Sequence, residues 1–224
     1  MPNLAMFSNY LSVSTFVRRA YQEFDGFDTK SLNLRQGDGT KKFIEEILPL
    51  TAFLKWFERP GRQVKCRYYS GNQNFDAKIR VSGREVEYGY IPRELFIEVT
   101  SPEDEKYEHL RREGLAHEGC VFGGNNIEKK KNDQGIDTIV SKPMAQDAEC
   151  IVGQTVMLVK TALDKKNKKV YPNPCILVVQ VRPERLLYLS EWLQLVQDVK
   201  TEINLEKFWA TIIVDWATSR AFQI

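Results

Sequence analysis

The sequence predicts an α/β domain built on a mixed central sheet flanked by helices. Three observations carry that prediction. Helical and strand-like segments alternate from residue 40 onward, which is the pattern of a sheet covered by helices. The run Pro174 to Val181 is continuously apolar, as a strand buried on both faces must be. The composition, 42% hydrophobic and 28% charged over 224 residues, is that of a globular protein able to bury a core unaided.

Taken in order, Val13, Phe16, Val17, Ala20, Tyr21 and Phe24 fall at helical spacing and predict an amphipathic helix over 11–24. Gly26, Gly37 and Gly39 mark a polar loop. A second helix is expected to start at Thr40 as its cap, with the stripe Phe43, Ile44, Ile47, Leu50, Phe53, Leu54 and Phe57. Pro49 would kink it and Arg59-Pro60-Gly61 would end it. Strands follow at 64–69, 75–81 and 94–99. Ser101-Pro102-Glu103-Asp104 reads as a helix start capped by Ser101. From 114 to about 150 the pattern weakens, and an irregular insertion with one hairpin turning near Asn132 to Gly135 is expected. A helix over 153–168, the buried strand at 174–181, a helix over 184–199 and strands at 208–216 and 220–224 complete the chain. Residues 1–39 are therefore read as an N-terminal helical extension and 40–224 as the α/β domain.

Composition narrows the function. The 32 basic and 30 acidic residues leave a net charge of only +2, so any nucleic-acid footprint must be local. Cys66, Cys120, Cys150 and Cys175 form no Cys-x-x-Cys pair, and His109, His117 and Cys120 match no common zinc spacing. Reduced thiols, no signal-like N-terminus and no apolar stretch of the roughly 20 residues a bilayer demands predict a cytoplasmic protein off the membrane. No phosphate-binding glycine loop, nucleophile elbow or His-Glu-x-x-His helix occurs. Trp56, Trp192, Trp209 and Trp216 sit in apolar periodic segments and are expected in the core.

The chemistry gathers at Asn74 to Thr100. Alternation along a strand puts Asp76, Lys78 and Arg80 on one face and Phe75, Ala77 and Ile79 on the other, while Glu98 and Thr100 project together. If the two strands pair, two carboxylates meet at a sheet edge with a basic residue beside them. Such an oxygen-donor set suits a hard divalent cation.

The order helix, strand, strand with Asp76, strand with Glu98, helix, buried strand resembles the PD-(D/E)XK phosphodiesterase superfamily, the restriction-endonuclease-like fold, over roughly residues 40 to 181. The resemblance implies that Asp76 and Glu98 bind Mg2+ (or Mn2+), assisted by a glutamate of the first core helix, Glu46 in preference to Glu45. It also implies a lysine two residues after Glu98 that orients or activates the attacking water, a position at which Thr100 stands. An ammonium from another element can supply the missing charge, and Lys78 and Lys160 are the candidates. The implied partner is DNA, its phosphates contacted by Lys129, Lys130 and Lys131 and by Lys165, Lys166, Lys168 and Lys169. Because Thr100 carries no amine, the alternative is a catalytically degenerate protein of this fold. It would bind nucleic acid or a protein partner, or pair as a homodimer, in a bacterial or phage defence or mobile-element setting. The segment from Lys165 to Val179 is also similar to a group of bacterial proteins with no assigned activity.

Overall fold

The computed structural model describes residues 2–35, 37–119, 121, 127–132, 134–143, 146–181, 188–202 and 207–224. In chain order, strand β1 (Leu11–Ser12) leads into α1 (Val13–Asp25), then α2 (Thr29–Leu34), α3 (Asp38–Lys42) and α4 (Leu48–Phe57). Next come β2 (Arg62–Tyr68), β3 (Ala77–Gly83), the short α5 (Arg84–Glu87), β4 (Glu94–Thr100) and α6 (Glu105–Glu118). The hairpin β5 (Ile127–Lys131) and β6 (Asp137–Ser141) stands apart from the main sheet. The chain closes with α7 (Ala148–Asn167), β7 (Cys175–Gln180), α8 (Leu189–Glu202), β8 (Ala210–Asp215) and β9 (Arg220–Gln223).

Seven strands form one mixed sheet in the order β1-β2-β3-β4-β7-β8-β9, so the fold is α/β as the alternation of elements predicts. The strands from β1 to β4 pair antiparallel, β4, β7 and β8 run parallel, and β9 returns antiparallel. Parallel neighbours need long crossovers. The stretch containing α6, the hairpin and α7 makes the first, and α8 lies in the second. Both central parallel strands are buried along all six residues, which accounts for the unbroken apolar run at 174–181.

Each face of the sheet carries its own core. Ile79, Leu95, Ile97, Ile176, Val178 and Ile212 point to the side covered by α1 and α4, where Phe16, Phe43, Phe53 and Leu54 are fully buried. Leu177, Val179 and Ile213 point to the other, under Val159 and Leu163 of α7 and Trp192 and Leu195 of α8. The first 39 residues share in the first core. Ser12 caps α1 by accepting from the Thr15 N–H (3.3 Å), β1 pairs with β2, and Phe7, Phe16 and Ala20 are completely buried.

Several local expectations are corrected. Thr40 is not a helix cap: the helix begins at Asp38, behind Gly37 at φ 83°, and Thr40 is buried. The polar loop before it contains α2, a single short helix capped by Asp28 on the Ser31 N–H (2.8 Å), too brief to leave an apolar period. Ser101 does not cap α6; Asp104 does, accepting from the Tyr107 N–H (3.1 Å). Trp192 is fully buried, but Trp209 is 42% exposed. Phe75, just outside the strand, packs edge-on against Phe96, whose ring lies with the α7 and α8 side. The predicted helix start at Glu184 and Cys120 lie outside the described residues. Among the described residues, no helix is long and apolar enough to cross a membrane.

The helical run from Asp38 to Phe57 is interrupted by one π turn at Phe43–Ile47. Pro49 has no N–H to donate to the carbonyl of Glu45, four residues back. That carbonyl instead accepts from the Ser101 hydroxyl (3.2 Å), which ties the helix to the end of β4. Ser101→Ala strands this acceptor and is expected to cost about 1 kcal/mol, measurable as a lowered urea midpoint.

Candidate functional site

The site forms where β3 meets β4. Their register ends at Ala77 paired with Ile97, and Asp76 and Glu98 stand just beyond that last pair, close enough for each charge to act on the other. The Asp76 N–H donates to the Ile97 carbonyl (2.8 Å), and the Val99 N–H donates to Oδ2 of the Asp76 side chain (2.7 Å). The carboxylate thus replaces a backbone acceptor where the ladder ends, which fixes it beside Glu98.

Glu98 is 5% exposed, a costly place for a carboxylate without a counter-ion. The counter-ion is Lys166, in the last turn of α7, whose Nζ bonds Oε1 of Glu98 and lies 3.5 Å from the Val99 carbonyl. The third acid, Glu46, comes from the π turn, and the buried Tyr68 hydroxyl of β2 donates to its Oε2 (2.5 Å).

These acids feel one another. Burial, then the charges of Glu98 and Glu46, push the Asp76 carboxyl up to about 8, against the opposing pull of the Val99 N–H and Lys166. Glu46 is also raised, chiefly by burial, with Glu45 and Glu98 adding to it and Tyr68 and Lys42 working against it. Burial and the Glu98 charge push the Cys175 thiol up to about 12 and raise the Tyr171 phenol, which lies beside Glu98. Three carboxylates repelling one another in a dry corner form a site that a cation would relieve.

Beside the acids a cleft of about 270 Å³ opens over Thr100. Lys41, Arg112, Lys165 and Lys166 supply its positive charge, and Glu45, Glu103 and Glu105 line it as well. The first two are held by Arg35, which binds Glu45 and reaches Glu103 at 2.8 Å. Arg112 also reaches Glu103, at 3.4 Å. Glu45 is therefore engaged by an arginine, and Glu46 is the glutamate that faces Asp76 and Glu98.

The remaining sequence-derived residues are placed as follows. Lys78 lies opposite Phe96 in the register, and its ammonium turns to Glu94 (2.8 Å) over the Phe96 ring, away from Asp76. Lys160 precedes Lys166 by six residues, which at about 100° per residue puts it on a different face of α7; the nearby charges acting on Asp76 come from Glu98, Glu46 and Lys166. Lys129 and Lys130 on the exposed hairpin pair with Glu113 (3.2 Å) and Glu128 (2.9 Å), and Lys131 is exposed. Lys165 lines the cleft, while Lys168 and Lys169 are exposed past the end of α7. Lys166 as a partner of the acids, and Tyr68 and Tyr171 around them, went unforeseen. The signal for Lys166 was present, because Val159, Leu163 and Lys166 follow one another at the i, i+4, i+7 spacing of a single buried stripe.

The donors suit a hard divalent cation: they are carboxylate oxygens, and on Asp76 and Glu46 the structure ties down one oxygen of each pair. Among the described residues no three such groups are drawn together as tightly as a bound ion would hold them. No protein-family model, curated protein or solved structure matches the chain.

Proposed function

We propose that the chain is a Mg2+-dependent nuclease acting on DNA, with the restriction-endonuclease-like arrangement of the PD-(D/E)XK proteins. In this reading Lys166 of α7 provides the ammonium that Thr100, at the motif position, lacks. The supporting observation is the Lys166–Glu98 contact beside Asp76, whose carboxyl feels both charges. Asp76, Glu98 and Glu46 would hold Mg2+ or Mn2+. Such an ion, when bound, neutralises charge on the phosphoryl oxygens and acidifies water.

The chain's own groups do the rest. Lys166 sets a fixed positive charge where negative charge develops on the scissile phosphate. Lys41, Lys165 and Arg112 engage flanking phosphates along the cleft, and Thr100 offers a hydroxyl in its floor. Val99, through its N–H, keeps the Asp76 carboxyl oriented.

The test is a cleavage assay with Mg2+ or Mn2+ on single- and double-stranded DNA. Wild type is expected to cut, and Asp76→Ala and Glu98→Ala are expected not to. Unchanged cutting by both variants overturns the assignment. The pH dependence has a definite sign. A proton on Asp76 competes with the cation below its midpoint of about 8, so metal affinity rises with pH, by up to about tenfold per unit, and levels off above that midpoint.

A further inference from the structure

A second cleft, of about 380 Å³, lies on the α4 face of the sheet, near where β7 and β8 begin. Its walls are Trp56, Arg59, Arg62, Tyr90, Trp209 and Gln223, over an aliphatic floor from β7 and β8. It shares no lining residue with the acidic site or its cleft. Two of its aromatic walls are open to solvent, Trp209 at 42% and Tyr90 at 74%. Tyr88, 70% exposed, continues the surface beyond Tyr90, with ring centroids 6.0 Å apart. Exposed aromatic rings gathered at the mouth of a cleft leave apolar surface in water that a ligand would cover.

The charges at this cleft differ in availability. Arg62 is committed to Glu85, its Nη2 at 2.7 Å, and stacks over Phe57. Arg59 is exposed, its guanidinium lies 5.4 Å from the Trp56 ring, and its charge also acts on Glu85, which lines the cleft and is bonded by Arg62. The side-chain amide of Gln223 is exposed at the rim and can both donate and accept. A cavity near the small end of ligand pockets, which start at roughly 300 Å³, suits one compact planar ligand. π-faces for a ring, an amide for its edge and an exposed guanidinium for an anion are the features that bind unpaired nucleotides.

We propose that this cleft binds an unpaired nucleotide of a single nucleic-acid strand, with the base stacked on Trp209, the phosphate on Arg59 and the next base on the Tyr88–Tyr90 surface. The exposed tyrosine pair beyond the pocket favours a strand over a free nucleotide, because a mononucleotide leaves it uncovered. The assignment is independent of the acidic site and requires no cleavage.

The experiment titrates the full chain, without metal, with a short oligothymidylate, with thymidine monophosphate and with duplex DNA, following indole fluorescence and heat. Binding of the oligonucleotide with quenching is expected. It should be weakened roughly tenfold or more by Trp209→Ala. In Arg59→Ala the slope of log affinity against log salt should fall by about 1. Both positions are exposed, so both variants retain the fold. The proposal is overturned by absence of quenching, by quenching that neither variant diminishes, by duplex binding as tight as the single strand, or by mononucleotide binding as tight as the oligonucleotide.

Discussion

Lys166→Met is expected to lower the rate of DNA cleavage by about 10²- to 10³-fold, the loss typical when a preorganised charge is removed from a transition state. Methionine keeps the apolar stem that continues the Val159–Leu163 stripe and removes only the ammonium. Glu98 then loses its counter-ion, and one of the two influences that lower the Asp76 pKa disappears. The pH profile of the remaining activity must therefore move to higher pH, which a purely structural role would not produce. Stability falls by less than the roughly 3–5 kcal/mol of a broken, fully buried pair, because the Lys166 side chain is 18% exposed. Lys166→Arg keeps the charge and should recover part of the rate. Measured kcat/KM against pH for the three proteins, at temperatures where circular dichroism shows each folded, decides the point. A rate and a profile unchanged in Lys166→Met remove lysine from the mechanism.

Asp76→Asn is expected to abolish metal-dependent cleavage and, at high pH, to make the metal-free protein more stable. The amide still accepts from the Val99 N–H and carries no charge against Glu98 and Glu46. The sign follows from linkage. The folded carboxyl titrates near 8, above its ordinary value of 3.8, so the native state holds a proton that the unfolded chain releases. Wild-type stability from this group is full below the unfolded value, declines as pH rises through the interval, and is lost once pH passes the folded midpoint. The variant escapes that decline. Above the midpoint its gain should be about 1–3 kcal/mol, or roughly 2–4 °C in Tm per kcal/mol for a chain of this size. At acidic pH the two proteins should melt together. Thermal unfolding across pH checks this, and a variant less stable at high pH would mean that the carboxylate is not under repulsion.

Much of the sheet was legible because its causes are local. The alternation of strand residues around Ala77 and Ile97, and the run Cys175 to Gln180, reflect which faces the strands bury. That Asp76 and Glu98 lie near each other was also visible, since both stand at the ends of the adjacent strands β3 and β4. What escaped depends on tertiary contacts. The π turn at Phe43–Ile47 aims Glu46, and it persists because Ser101, more than fifty residues away in sequence, takes the carbonyl that Pro49 leaves open. Lys166 sits in a run of lysines whose members look alike in sequence. Only the end of α7 and its buried stripe separate it from Lys165, on the cleft, and Lys168, in solvent. Trp209 was read as core from its apolar neighbours. It stands at the start of β8, where its N–H bonds the Cys175 carbonyl while its ring faces water.

The central claim is that Asp76, Glu98 and Glu46 grip one divalent cation. Calorimetric titration with Mn2+ below the Asp76 midpoint, in two buffers of different ionisation enthalpy, tests it directly. The account predicts a single binding event that releases a proton in the wild type and vanishes in Asp76→Asn and Glu98→Gln. Absence of binding in the wild type, or binding with equal affinity in both variants, would contradict it.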